Sequence, residues 1–155
     1  MQQHTSPLPD QAQKVTGEVL QEALVDLIGL ALLGKQAHWT VVGPRFRPLH
    51  LHLDEIVEAA RSGADLVAER ASAIGYPPDG RPRTLADSTA LPQMPAGWQG
   101  EDAVVETFVS LHEGIIERMR QRIAATDSAD PVSQNLLVDL TAQLEKQHWM
   151  LQAER

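Results

Sequence analysis

Four stretches of the chain carry apolar residues at intervals of three and four, the spacing of one face of an α-helix. In residues 11–39 the stripe is Val15, Val19, Leu20, Ala23, Leu24, Leu27, Ile28 and Ala31, with Leu30, Leu32 and Leu33 widening it almost all round. A helix apolar on most sides is covered by more than one neighbour. Residues 46–74 repeat the pattern with Leu49, Leu53, Ile56, Val57, Ala60, Ala64, Val67, Ala71 and Ile74. Pro48 falls in the first turn of this helix, where its missing N–H costs nothing. The third stretch, 101–125, carries Val104, Val105, Phe108, Leu111, Ile115, Met119 and Ile123. The fourth, 131–153, carries Leu136, Leu137, Leu140, Leu144, Trp149 and Leu151. Gly43-Pro44, the run from Gly75 to Gly80 and the turn from Thr126 to Pro131 separate them. Glu101 and Asp102 suit a helix N-terminus through the dipole, and Pro131 suits a first helical position.

No segment alternates with period two over a useful length, so no sheet is expected. The link between the second and third helices, residues 75–100, is long and punctuated by Pro and Gly, with 84–87 able to start a short helix. Four long helices with one long link define an all-α fold, a four-helix bundle with a crossover connection between the second and third helices, the arrangement of ferritin-like proteins. Residues 1–10 are polar with two prolines and read as a flexible N-terminal tail, and residues 11–155 as one bundle domain. The length of 155 residues fits a single domain. No basic-then-apolar leader opens the chain, and the longest apolar run, 27–33, is far below the roughly 20 residues of a membrane span. A cytoplasmic protein without a membrane partner is expected, with nucleoid association as the secondary location. With no cysteine, disulfides, thiolate metal sites and thiol catalysis are excluded. A formal net charge of −8 opposes binding to nucleic acid and favours cationic partners, metal ions among them.

The second helix also holds a polar stripe. His50 and Asp54 are four apart, as are Asp65 and Glu69, so each pair shares a face one turn apart. All four fall within an arc of roughly 100°. Asp54 and Asp65 are nevertheless about 16 Å apart along the axis, too far for one helix to gather both pairs. The midpoint between His50 and Glu69 coincides with that between Asp54 and Asp65, and lies between Ala59 and Ala60. Two copies of the helix crossing antiparallel about a two-fold axis there would bring His50 opposite Glu69 of the mate and Asp54 opposite Asp65 of the mate. Ala59, Ala60, Gly63 and Ala64 would let the backbones approach. His38, at the end of the first helix, is the fifth candidate. Two imidazoles and three carboxylates suit a first-row metal such as iron(II).

These residues resemble a known family. The run Lys35-Gln36-Ala37-His38-Trp39, then Gly43, Phe46, Leu49-His50, Asp54, Asp65 and Ala68-Glu69-Arg70, is similar to the ferroxidase motif of Dps, the DNA-binding protein from starved cells. Leu144-Glu145-Lys146 and Trp149 fit its last helix, and the likeness covers about residues 19–153. The resemblance implies a mini-ferritin: a hollow homo-oligomer, a dodecamer, with an iron centre between two-fold-related subunits. It implies that iron(II) is the substrate, oxidised preferentially by hydrogen peroxide and stored as ferric mineral, which protects against oxidative stress. His38, His50, Asp54, Asp65 and Glu69 would be both the metal ligands and the catalytic residues, with Trp39 as a radical sink. The family's DNA binding usually depends on a basic tail. This chain departs there, since Lys14 is the only basic residue before Lys35 and the sequence stops at Arg155.

Other candidates have plainer readings. His52 points about 200° away from His50 on a helix and reads as a solvent or interface residue. Glu145 and His148 form one Glu-x-x-His motif, whereas a di-iron site within one bundle needs two. His4 and His112 read as ordinary histidines, Trp98 and Trp149 as packing residues, and Met94, Met119 and Met150 as filler. Arg45, Arg47, Arg81 and Arg83 could form a modest basic surface patch, but read rather as a solvated face or subunit salt bridges. Asp127, Asp130 and Asp139 could line an acidic three-fold entry or form an ordinary turn, and Glu55 and Glu58 could face a cavity and nucleate mineral. Two alternatives stand beside the ferroxidase reading: a nucleoid DNA-binding protein with ferroxidation secondary, and a structural shell holding another divalent metal such as zinc.

Overall fold

The computed structural model describes residues 5–155; the first four residues of the expected tail, with His4, lie outside the described residues. The elements in chain order are α1 (Asp10–Thr40), β1 (Val41–Val42), α2 (Phe46–Ala73), α3 (Pro82–Ser88), β2 (Gln99–Gly100), α4 (Glu101–Thr126) and α5 (Pro131–Gln152). The four long helices are the four that the apolar spacing predicts, with ends shifted by one residue or so. The short helix expected from residue 84 begins two residues earlier, at Pro82, whose fixed φ suits a helix start.

The helix ends follow from local chemistry. Asp130 caps α5: its carboxylate accepts from the backbone N–H of Val132 and Ser133. Asp130 is 3% exposed, so these bonds form out of water. At the end of α2, Gly75 takes φ +79°, and the N–H groups of Gly75 and Tyr76 turn back to the carbonyls of Ser72 and Ala71. That closure needs a residue tolerant of the left-handed region.

α1 packs chiefly along α2, and α4 along α5, with α1–α4 and α2–α5 contacts closing the bundle. The core runs through all four: Leu20, Leu27, Leu53, Ile56, Phe108, Ile115, Leu137 and Leu151 are all but inaccessible. Burial of each such side chain stabilises the fold by about 1.5–3 kcal/mol before conformational entropy is counted. The crossover is held close to α1 at Gly17, where an added Cβ would lie 2.0 Å from the Tyr76 ring.

Three expectations need correction. A small sheet does exist: β1 and β2 pair in parallel, Val41 with Gln99 and Val42 with Gly100. Two residues are too few for alternation to register, and the pairing depends on the tertiary approach of two linkers. Trp98 and Trp149, read as packing residues, are 74% and 65% exposed. Leu32, on the broad apolar face of α1, is also exposed, so the chain itself does not cover that face on all sides. Among the described residues no helix is long and apolar enough to cross a membrane.

Candidate metal centre

His38 lies in the last turn of α1 and His50 in the second turn of α2, and the short β1 linker folds one back on the other. Their rings stack with centroids 3.6 Å apart at 21°, and Phe46 lies 4.8 Å from His50 on centroids. The backbone contacts are reciprocal. His38 Nδ1 is 2.9 Å from the carbonyl of His50, and His50 Nδ1 is 2.9 Å from the carbonyl of His38. A carbonyl oxygen can only accept, so each Nδ1 carries the proton and donates. In the neutral rings each Nε2 then keeps its lone pair, and neither makes a hydrogen bond among the described residues. A backbone partner that fixes the tautomer and frees the other nitrogen is the usual second layer of a metal-binding histidine.

Asp54, one turn after His50, brings its Oδ1 to 3.3 Å from His38 Nδ1. His38, His50 and Asp54 therefore converge, from two helices of one chain. Lys35, one turn before His38, adds a feature that sequence reasoning did not assign: its ammonium binds the same Asp54 oxygen. Lys35 holds the Asp54 carboxyl below its usual range, burial opposes this, and His38 and His50 add to the lowering. The sequence signal for Lys35 was its three-residue spacing from His38.

Asp65 and Glu69 are brought to no protein partner. Both are exposed on α2, and neither makes a hydrogen bond or ion pair among the described residues. Within one chain, the described residues contain no group of three or more His, Asp or Glu placed to hold a metal ion. Trp39, beside His38, is 65% exposed.

His52 is not a solvent residue. It is 8% exposed, with Nδ1 2.9 Å from Glu154 Oε1 and Nε2 2.7 Å from Gln147 Oε1. The 200° turn from His50 points it into the bundle, where α5 meets it. Glu145 turns outward to Arg120, while His148 lies 3.4 Å from Glu113. His112 is fully buried, bonded through Nδ1 to the Phe108 carbonyl, with Nε2 unpartnered. Burial pushes its pKa down to about 4, partly offset by the Phe108 carbonyl. Arg45 pairs with Glu101 and Asp102, Arg81 with Asp79 and Arg83 with Asp87, so three of the four arginines are engaged within the chain. Asp130 belongs to the α5 cap and binds Arg70 at 2.6 Å, whereas Asp127 and Asp139 are exposed. Burial disfavours the Asp130 anion, but its bonds from Ser133 and Arg70 outweigh that and hold the carboxyl below its usual range.

Helical pairs joined by a long crossover, with a histidine–carboxylate cluster between α1 and α2, define the class as a ferritin-like bundle. A family model described as Ferritin-like domain matches residues 17–154. The chain is 34% identical over 140 residues to DNA protection during starvation protein 2 of Deinococcus radiodurans, a match covering 90% of this chain and 58% of that protein, so it spans less than two thirds of that relative. It is 32% identical to the DNA protection during starvation protein of Mycolicibacterium smegmatis, over 94% of this chain and 80% of that protein. Among solved structures, Mycobacterium smegmatis Dps in its tetragonal form superposes with a TM-score of 0.94 at 32% identity, covering 99% of this chain and 94% of that one. Dps from Microbacterium arborescens in the high iron form superposes at 0.92 and 29% identity, with 97% of each chain covered. The chain belongs to the Dps family.

Proposed function

We propose that this protein is an iron-oxidising storage mini-ferritin whose catalytic site is shared by two subunits. His38, His50 and Asp54 of one chain and Asp65 and Glu69 of its two-fold mate bind iron(II) as substrate. The observation that carries this reading is the stacked His38–His50 pair, each ring fixed through Nδ1 with Nε2 left free, and the Asp54 carboxylate 3.3 Å from His38 Nδ1. The symmetric placement of the exposed Asp65 and Glu69 about Ala59 and Ala60 supports the second half. Two neutral imidazoles and three carboxylates bring an excess of negative charge, which favours the more highly charged iron(III) and so lowers the barrier to oxidation.

The chemistry balances with hydrogen peroxide as oxidant. Two iron(II) ions give up one electron each, the O–O bond of one peroxide breaks, and two protons are taken up to give two waters. The paired electrons keep hydroxyl radical from forming, which gives protection against oxidative stress. Lys35 occupies the Asp54 carboxylate before iron arrives, so an incoming cation displaces its ammonium. Ferric product collects inside a hollow homo-oligomer, a dodecamer, built on these two-fold contacts. The relative from Microbacterium arborescens, described in a high iron form, supports iron as the cargo. The net charge of −8 and the pairing of Arg45, Arg81 and Arg83 argue against DNA compaction as the main role.

The test is anaerobic loading with iron(II) followed by peroxide, monitored by ferric absorbance. The native protein oxidises iron rapidly and the double variant His50→Ala, Asp54→Ala does not. Unchanged oxidation in that variant, with assembly intact, overturns the proposal.

A further inference from the structure

Asp65 and Glu69 are not the only unpaired charges on the outer face of α2. Between His50 and Glu69 that face carries His50, Asp54, Glu58, Arg61, Asp65 and Glu69 within an arc of roughly 100°. Four of these six are carboxylates, and Arg61 is the one guanidinium or ammonium among them. Glu58 and Arg61 are exposed, and neither makes a hydrogen bond or ion pair among the described residues. They stand three residues apart on one helix, a spacing that allows a pair, yet they form none with each other. Lys35 answers Asp54 from α1, but no described residue answers Glu58 or Arg61.

Their positions carry the same symmetry as the candidate ligands. The midpoint between Glu58 and Arg61 falls between Ala59 and Ala60, where the midpoints of His50 with Glu69 and of Asp54 with Asp65 also fall. Each lies about 2 Å from that point along the helix, against about 8 Å for Asp54 and Asp65 and about 14 Å for His50 and Glu69. Two packed helices are closest at their crossing, with axes about 8–10 Å apart, and diverge from it. Groups beside the crossing therefore meet whatever the crossing angle. In an antiparallel pair of this register, Arg61 faces Glu58 of the partner subunit, and Glu58 faces Arg61 of the partner subunit. Elsewhere the two stripes oppose acid to acid, as Asp54 does to Asp65 of the partner subunit, and opposed like charges repel.

We propose that Arg61 and Glu58 form two reciprocal ion pairs at the centre of the two-fold contact, and that these pairs select a second copy of the same chain, in one register, as the occupant of this helix face. The charge pattern matches itself under a two-fold axis, which is the mark of an isologous contact. The pairs also neutralise the middle of an acidic face, so two chains can meet before metal arrives. This rests on the two-chain reading of the iron site, and it places Glu58 in the interface rather than in a cavity that nucleates mineral.

The test is a charge swap on iron-free protein, with mass followed by light scattering over a dilution series. Arg61→Glu opposes two acids at each contact, and Glu58→Arg opposes two guanidiniums. Each alone raises the concentration at which the assembly half-dissociates by at least about tenfold. Both positions are exposed, so the chain's own core is untouched. Combining the two substitutions in one chain, or mixing the two single variants, restores opposite charges at both contacts and returns that concentration to within about threefold of native. Rescue by mixing also shows that each single variant folds. Single variants that dissociate no more readily than the native protein, or that neither the mixture nor the double variant rescues, overturn the proposal. No candidate ligand is altered and no iron is present, so failure here leaves the iron site to be judged separately by the oxidation test on His50→Ala, Asp54→Ala.

Discussion

A site divided between two chains makes a quantitative prediction about mixed assemblies. One variant carries His50→Ala and Asp54→Ala, the other Asp65→Ala and Glu69→Ala. Either alone forms two-fold dimers in which every site lacks a half, so both are inactive. In a mixed dimer, one site combines both damaged halves. The other combines intact His38, His50 and Asp54 with intact Asp65 and Glu69. With random mixing half of all dimers are mixed, and half of their sites are whole, so about a quarter of native sites are restored. The exposure of Asp65 and Glu69 makes this feasible, because neither supports its own chain's core. The assay is co-expression or dissociation and reassembly, then initial ferric absorbance after anaerobic iron(II) and peroxide. Separately assembled variants, mixed without exchange, provide the baseline. About a quarter of native activity after exchange is the expected result. Recovery no greater than the baseline, with subunit exchange verified by mass, would refute the two-chain site. Substantial activity in either variant alone would refute the ligand assignment.

Three further outcomes follow from local geometry. Lys35→Gln frees Asp54 from the ammonium that iron must displace. The pair is partly exposed and screened by water, so the iron(II) concentration for half-maximal oxidation falls by about two- to fivefold, measured by initial rates; an increase would show that Lys35 assists binding instead. His112, whose pKa is pushed down to about 4, stays neutral in the fold while its unfolded form takes a proton near 6.5. The unfolded state binds more protons between those values, so stability is fully present above about 6.5 and falls towards pH 4, by roughly 3 kcal/mol per chain for this group. His112→Gln flattens that part of the stability profile in denaturant titrations at pH 7 and 4.5, and an unchanged slope would rule this group out. Asp130→Ala removes the α5 cap and strands Arg70, which binds it at 2.6 Å. Thermal and denaturant unfolding should show a loss of about 2–3 kcal/mol, against a few tenths for a surface substitution.

Helix positions, the crossover and the shared face of His50 and Asp54 were legible in the chain because each depends on local spacing. A 3.6-residue period places apolar side chains on one face whatever the neighbours are. The same period places Asp54 one turn from His50. What escaped depends on approach between distant segments. His52 shows the reason. Helical geometry states that it faces away from His50, but does not state what lies there, and solvent is the default for a histidine beside an exposed stripe. In fact α5 lies there, and Gln147 and Glu154 take both ring nitrogens. This pairing fixes the rotation of α2 about its axis, because a residue bonded on one side of a helix sets what the other side presents. His50 and Asp54 bracket His52, so its bonds to Gln147 and Glu154, far along the chain, help set which face of α2 is left open. The β1–β2 pairing acts likewise, joining the end of α1 to the start of α4 at the turn that folds His38 onto His50. The identity of the candidate residues was thus written in local spacing, and their orientation in contacts that only the folded bundle creates.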